Sequence, residues 1–318
     1  MMSSAVNGTC DHFVNSVCTE STNVPWYYSY NPSLIEGFSD HYLALVAPIA
    51  AYWILSLSFH YLDTRDWKSL EQYRIHPSTE VASRPRVTRR AVILAVLFQQ
   101  VLQTAVGFIW MVNEHTLVPD HSEKIAVIAR RLTLVLGSGK QLQPLLSGLA
   151  YTVYWWAIPL FQLFLGMAVI DTWQYFLHRG MHMNKFMYRH FHSWHHKIDV
   201  PYAFGAQYNH PVEAFLLDAL SAVIAESVSG MSTRQAALLF AFATFKTVDD
   251  HCGYRFPFDP LQIMSKNNAD YHDIHHQKIG IKSNFAQPFF VHWDTLLGTE
   301  MTREEMEARK QKSRAKTE

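Results

Sequence analysis

Eight of the eighteen histidines in this sequence stand in three short groups, one with the pattern HxxxH and two with the pattern HxxHH. Because positions i, i+3 and i+4 of a helix share one face, each group is expected to aim its imidazoles at one point. Neutral imidazole binds iron, copper and zinc, and eight imidazoles exceed the four ligands of a tetrahedral zinc site, so the groups predict two metal ions. The groups are His178 and His182; His192, His195 and His196; and His272, His275 and His276.

A structural role is the alternative for each group taken by itself, because an isolated HxxxH on a helix is weak evidence for a metal. Buried adjacent histidines without a ligand would, however, leave ring nitrogens unpaired. Here three groups occur together, each beside a long apolar segment. Their combination favours metal binding over three separate structural roles.

Further residues are candidates to complete the ligand sets. His251, in VDDHCG, and His210, in NHP, could add imidazoles, although a lone histidine is more often a core or interface residue. A ligating histidine usually donates its second N–H to a carboxylate or a carbonyl. For Asp273 an ordinary surface role is favoured. The other carboxylate candidates are Asp171, Glu213, Asp249 and Asp250.

A ligand set made almost entirely of imidazole narrows the choice of metal and chemistry. The groups contain no Glu-x-x-His pair of the kind that soluble di-iron bundles use. Nitrogen ligands suit redox iron better than Mg²⁺ or Ca²⁺, which prefer oxygen. Iron beside apolar helices indicates O₂ activation against an unactivated C–H bond of a lipid. Hydroxylation and desaturation both begin with that hydrogen abstraction, so the spacing leaves both open.

Long apolar runs place these groups next to a membrane. Residues 42–61, 91–112 and 148–170 are each about long enough to span a bilayer. The loop at residues 63–90 is rich in arginine, which predicts that it is cytosolic. The third run then returns the chain to the cytosolic side immediately before the first two histidine groups.

Residues 211–248 form another apolar stretch, broken near Gly230 into two halves. We expect a helical hairpin that enters the bilayer and returns to the same face, since the third histidine group must rejoin the first two. The fold class is therefore an all-α, multi-pass membrane protein with a cytosol-facing, histidine-rich di-iron cap. Its expected parts are a polar tail (1–40), spans with loops (41–170), a catalytic region including the hairpin (171–300) and a charged tail (301–318).

Composition limits the remaining possibilities. Lysine plus arginine and aspartate plus glutamate both number 27, which gives no electrostatic case for binding nucleic acid. Cys10, Cys18 and the acceptor pattern at Asn7 fit a lumenal, disulfide-bonded and glycosylated N-terminal tail. An unmodified tail fits them as well.

The histidine patterns resemble those of the membrane fatty acid hydroxylase family, which includes sterol methyl oxidases, sterol desaturases and sphingolipid hydroxylases. The order HxxxH, HxxHH, HxxHH is matched without gaps. The stretches DTWQYFLHRGMHMNKFMYRHFHSWHH, VPYAFGAQYNHPVE, FKTVDDHCG and NNADYHDIHHQ are similar to the sphingoid base C4-hydroxylases of fungi and plants. The resemblance covers about residues 171–298.

The resemblance implies an endoplasmic reticulum enzyme with two iron ions, O₂ as co-substrate, and electrons from NAD(P)H through cytochrome b5 and its reductase. It implies hydroxylation of a sphingoid base or ceramide at C4, as in the conversion of sphinganine to phytosphingosine. A sterol C4-methyl oxidase or sterol desaturase is the nearest alternative. A membrane metal transporter is the alternative from another class, although transporters place polar ligands near the membrane midplane.

Overall fold

The computed structural model describes residues 12–14, 17–19, 24–65, 67–83, 87–111 and 120–316. Regular structure in these ranges is helical apart from one antiparallel hairpin of β1 (His12–Val14) and β2 (Val17–Thr19), in which Val14 lies opposite Val17. The expected all-α class is confirmed. The glycosylation pattern at Asn7 and the pairing of Cys10 with Cys18 lie outside what is described.

The helices range from three to 26 residues in length. Two π-helical segments, Val153–Ala157 and Ala214–Ala219, continue into α-helices, and three 3₁₀ helices span Lys140–Leu142, His192–Lys197 and Ala203–Gln207. The α-helices are α1 (Asp40–Thr64), α2 (Lys68–Glu71), α3 (Ser78–Ser83), α4 (Arg89–Met111), α5 (His121–Leu136), α6 (Gln143–Thr152), α7 (Ile158–Met183), α8 (Lys185–His190), α9 (Pro211–Glu213), α10 (Leu220–Ser229), α11 (Thr233–Asp250), α12 (Pro260–Met264), α13 (Ala269–His276), α14 (His292–Leu297) and α15 (Arg303–Arg314).

Three helical stretches in the described chain are long and apolar enough to cross a membrane: Asp40–Thr64, Arg89–Met111 and Lys140–Met183. They contain the three predicted runs and support a multi-pass membrane protein. The third stretch is longer than its apolar run, because α7 continues past residue 170 through His178 and His182. The first histidine group therefore follows the apolar run on the same helix, without an intervening loop.

Residues 211–250 form a helix–turn–helix, as the sequence indicated. Gly230 ends α10 with a left-handed φ of +60°, and Ser232 begins α11 with a capping box to Gln235. Gln162 near the start of α7 donates to the Gly230 carbonyl (2.6 Å). The turn therefore lies at the end of the bundle where α7 begins.

Helix α11 runs beside α1 in the same direction over the full length of both. At one end Arg234 forms an ion pair with Asp40 (2.7 Å), and at the other the Tyr254 hydroxyl donates to Asp63 (2.8 Å). The hairpin is thus as deep as a membrane-spanning helix. Its two open ends return to the end of the bundle that carries the histidines.

The π-helical segment Ala214–Ala219, in the first limb of the hairpin, changes which residues lie on the same side of that helix. Its widened turn leaves backbone carbonyls without their usual helical partners, and α7 supplies them: Trp173 Nε1 donates to Leu216 O (2.8 Å) and Gln174 Nε2 to Leu217 O (2.9 Å). Because π-helical hydrogen bonds join residues five apart, Glu213 and Asp218 lie about one turn apart on one side of the helix.

The largest apolar core joins α1, α4 and α11 to the loops around the histidines. Tyr52 on α1 and Val96 on α4 are fully buried in it, with Val248 from α11. The Tyr52 hydroxyl donates to the carbonyl of Phe204 in a 3₁₀ helix (2.8 Å). This core anchors the end of the bundle on which the histidines are placed.

Gly280 is required by close packing behind the third histidine group. A Cβ atom there would lie 1.9 Å from the carbonyl oxygen of Ile274, which is backbone and cannot rotate away. We expect Gly280→Ala to lower the free energy of unfolding by about 1–3 kcal/mol through overpacking. Gly148→Ala, in open space on α6, is the matched control and should be neutral or stabilising by up to about 1 kcal/mol. Thermal melts of both variants in detergent would test this, and equal melting temperatures would contradict it.

Candidate metal centre

Nine buried histidines form two adjacent groups in which each residue offers one ring nitrogen within 4.8 Å of the others. The structure brings together every histidine that the sequence singled out as a ligand except His210. Site A consists of His178, His182, His192, His196 and His275, and site B consists of His195, His251, His272 and His276.

The two HxxHH groups are each divided between the sites. His192 and His196 face site A while His195 faces site B; in the third group His275 belongs to site A, and His272 and His276 to site B. The expectation that each group aims at one point is therefore wrong for both HxxHH groups and correct only for HxxxH. The reason is that consecutive helical residues project about 100° apart, so two adjacent histidines cannot face one ion.

Different elements carry the histidines to this point. His178 and His182 lie one turn apart on the buried face of α7, and His251 caps the end of α11. The second group forms the 3₁₀ helix His192–Lys197. The third group lies on α13, whose N-cap Asn268 accepts a hydrogen bond from the Tyr271 N–H (3.1 Å).

Backbone carbonyls fix the orientation of four of the nine rings. A carbonyl oxygen can only accept a hydrogen bond, so the Nδ1 atom that faces it carries the proton of the neutral ring. The Nε2 atom of the same ring is then left with a lone pair. The bonds run from His178 to Phe285 O (2.8 Å), His251 to Thr247 O (2.8 Å), His275 to Ser283 O (2.7 Å) and His276 to Ile198 O (2.9 Å).

His192 is held in the same way by a carboxylate. Its Nδ1 lies 2.5 Å from Oε1 of Glu213, and both residues are buried. Burial lowers the pKa of the imidazoles of His192 and His275 to about 3 and that of His195 to about 4, so these rings are neutral at pH 7. Neutral imidazole is the form that binds a metal.

Nε2 atoms of neighbouring histidines lie close together, and hydrogen bonds between neutral rings do not account for these short distances. His178 and His192 approach to 3.0 Å in site A, and His272 and His276 to 3.0 Å in site B. Nε2 of both His178 and His192 carries a lone pair, so the two cannot hydrogen-bond to each other. Nitrogens bound about 2.1 Å from one ion at right angles would be about 3.0 Å apart. The buried Nε2 of His275 has no hydrogen-bond partner. Both sites fit a metal ion.

The other four candidates, three aspartates and His210, form hydrogen bonds or ion pairs with residues outside both sites. None of them is hydrogen-bonded to a histidine of site A or site B in the described chain. Asp171 accepts the N–H groups of Phe289 (3.0 Å) and Phe290 (2.6 Å), Asp249 accepts from Gln262 (3.3 Å), Asp250 forms an ion pair with Lys246, and His210 caps α9 by accepting the Val212 N–H (3.2 Å).

Sequence reasoning missed two supports of the centre. Asp273, for which a surface role was favoured, is buried and bonds His76 (2.7 Å) and Arg303 (2.7 Å) behind its neighbour His272. Asp294 is fully buried and accepts hydrogen bonds from the backbone of the loop whose Phe285 carbonyl orients His178. Asp273 lies within the YHDIHH motif, so its position beside the histidines was visible in the sequence. No motif identifies Asp294.

A cavity of about 150 Å³ lies between the two limbs of the hairpin and continues between α1 and α4. Its walls begin directly behind the histidines. Gln174 is one turn before His178, and Thr247 supplies the carbonyl that holds His251. Most of the lining surface is apolar, with Ile49 and Phe240 among the contributors. The cavity could accept an aliphatic chain whose end lies near the two sites.

Glu213 is expected to strengthen metal binding through His192. Replacing it with alanine removes the acceptor that orients the ring, and the loss of such a partner commonly costs about 10–100-fold in metal affinity. Glu123→Ala, on the exposed first turn of α5, is the control. Competition with a chelator, using purified protein, would measure both variants. An unchanged affinity in Glu213→Ala would show that the carboxylate does not act on the centre.

Comparison with known proteins gives concordant results. Residues 163–299 match the family profile described as fatty acid hydroxylase. The chain is 48% identical to the sphingolipid C4-hydroxylase of Saccharomyces cerevisiae over 84% of this chain and 74% of that protein. It is 43% identical to sphinganine C4-monooxygenase 1 of Arabidopsis thaliana (84% and 91%) and 41% identical to a protein of Oryza sativa subsp. japonica named a very-long-chain aldehyde decarbonylase (87% and 92%). No solved structure matches the chain.

Proposed function

The chain belongs to the fatty acid hydroxylase family, and we propose that it hydroxylates C4 of a sphingoid base or ceramide in sphingolipid biosynthesis. Two relatives named for that reaction are 43% and 48% identical over 84% of this chain. The observation that carries the proposal is the pair of buried histidine sites, in which Nε2 atoms of neighbouring rings face each other at 3.0 Å.

We assign one iron ion to each site, with the nine histidines as ligands. Nitrogen donors suit iron, and sites A and B are joined by consecutive histidines. When bound, iron would supply reductive activation of O₂, with two electrons and two protons taken up, one oxygen atom inserted at C4 and the other released as water. The carbonyls of Phe285, Ser283 and Ile198 keep the protons of three rings on Nδ1.

The helices around the cavity would position the substrate and exclude water from the part of it that reacts. The cavity behind the sites is mainly apolar, so it can hold part of the aliphatic chain away from water. The limbs of the hairpin and helices α1 and α4 form its walls. Binding the chain along this direction would leave a carbon near the polar end facing sites A and B.

The proposed location is the endoplasmic reticulum membrane, with the centre on the cytosolic side. The arginine-rich loop after α1 lies at the histidine end of the bundle, where Arg74 bonds Asp63 (3.0 Å) and His76 bonds Asp273. Short basic loops remain cytosolic, which supports that orientation. Electrons would then come from NAD(P)H through cytochrome b5 and its reductase, which face the same compartment.

Other activities are distinguishable from this one by product. A sterol C4-methyl oxidase or sterol desaturase would act on a sterol, and the name of the rice relative adds an aldehyde as a third substrate class. A metal transporter is less compatible with the structure, because the histidines cluster at one end of the bundle and do not line a path through it.

Lipid analysis would test the proposal directly. The intact chain and a His195→Ala form would be expressed in cells that lack C4-hydroxylated sphingoid bases. We expect phytosphingosine with the intact chain only. If the intact protein reaches the membrane and sterol products or shortened hydrocarbons appear instead, the sphingolipid assignment is wrong.

A further inference from the structure

The cavity behind the metal sites is acidic as well as apolar. Its lining includes the carboxylates of Asp218 and Glu226, and no lysine, arginine or histidine is among the described residues that line it. An ionised carboxylate away from bulk water is costly unless a cation or hydrogen-bond donors accompany it. A cavity with this lining favours a ligand that has an aliphatic chain and a positive charge.

The two carboxylates lie at different depths. Asp218 is about one π-helical turn from Glu213, which contacts His192 of site A, so it lies near the histidine end of the cavity. Glu226 is two turns further along, about 12 Å as helix, and accepts a hydrogen bond from Trp110 Nε1 (3.1 Å) near the other end. Of the two carboxylates, only Asp218 is close to sites A and B, where the substrate would react.

Asp218 is oriented by neutral side chains. Gln99 Nε2 on α4 donates to its Oδ2 (2.7 Å), and the Gln99 amide oxygen in turn accepts from Asn209 (3.3 Å). Within the part of the chain that the structure describes, no cationic side chain forms an ion pair with Asp218. The carboxylate is held in place by neutral amides and retains capacity for a cation.

Building on the proposed C4 hydroxylation, we propose that Asp218 binds the protonated amine of a free sphingoid base and so makes the free base the preferred substrate over ceramide. The amine is carried by C2, two bonds from C4, so an ammonium held at Asp218 leaves C4 close to the metal sites and directs the aliphatic chain towards Glu226. An N-acylated substrate has an amide in place of the ammonium and gains no charge pairing.

The test compares two substrates in membranes that contain the full chain. Sphinganine carries the ammonium, and N-acetylsphinganine has a neutral amide with a small acetyl group in its place. Asp218→Asn keeps the shape of the side chain and an acceptor for Gln99. We expect it to raise the KM for sphinganine at least about 10-fold, as the loss of one partner of a buried charge pair would, and to change the KM for N-acetylsphinganine by less than about 3-fold. Glu226→Gln is the matched control, and it should not change the KM for sphinganine relative to the KM for N-acetylsphinganine.

Several outcomes would overturn the assignment. Equal losses on both substrates, or selectivity changed by Glu226→Gln and not by Asp218→Asn, would each exclude Asp218 as the amine site. Competition in the unaltered chain needs no variant: octadecylamine should inhibit sphinganine turnover more strongly than octadecanol, and equal inhibition would contradict the proposal. If the unaltered chain hydroxylates neither substrate, the C4-hydroxylase function itself fails, which is a different result.

Discussion

A chain carrying His275→Ala is expected to lose C4-hydroxylase activity by at least about 100-fold, because its Nε2 is a buried nitrogen of site A without a hydrogen-bond partner. Losing a residue that only orients a ligand already costs about 10–100-fold in metal affinity, so losing the ligand itself should cost more. Iron content of the purified protein and phytosphingosine formation in cells would be measured together. Both should fall.

His210→Ala is the control for this result. His210 lies close to the second group in sequence and packs edge-to-face against Trp194, yet it belongs to neither site. It should retain iron and activity. If His275→Ala keeps the iron content of the unaltered chain, then site A is not a metal site as proposed.

Asp294→Ala is expected to give the largest loss of stability among single changes outside the two sites, about 3–5 kcal/mol. The carboxylate is fully buried and accepts four hydrogen bonds, so its removal leaves several donors without an acceptor. The donors are the N–H groups of Phe285 (3.0 Å) and Ala286 (2.7 Å) and the hydroxyls of Tyr271 (2.8 Å) and Thr299 (2.6 Å).

Thermal unfolding and iron content would be measured on the same preparations of Asp294→Ala. Iron loss should accompany the lower melting temperature, since the Phe285 carbonyl that orients His178 lies on the affected loop. Asp120→Ala removes a carboxylate that caps the exposed start of α5 and should cost only about 1 kcal/mol. Similar melting temperatures for the two variants would show that Asp294 is not a main support of the loop.

Much of this architecture was predictable because it depends on local patterns. Apolar runs predicted the spans, a break near Gly230 predicted the hairpin, and imidazole spacing singled out eight of the nine histidines, His251 being a separate candidate. The assignment of adjacent histidines to different sites was not predictable from spacing, since it depends on where α7, α11 and α13 meet. The same holds for Asp294 and His76, whose partners are far away in sequence.

Two peptide units link site A to site B: one joins His195 to His196 and the other joins His275 to His276. An ion in either site restricts the backbone that carries a ligand of the other, so the second ion meets residues whose conformational entropy is already reduced. If each site binds one ion, as proposed, occupancy of the two sites would be thermodynamically coupled. Chains with one filled site would then be disfavoured, and a partial iron supply would divide the molecules into empty and complete ones.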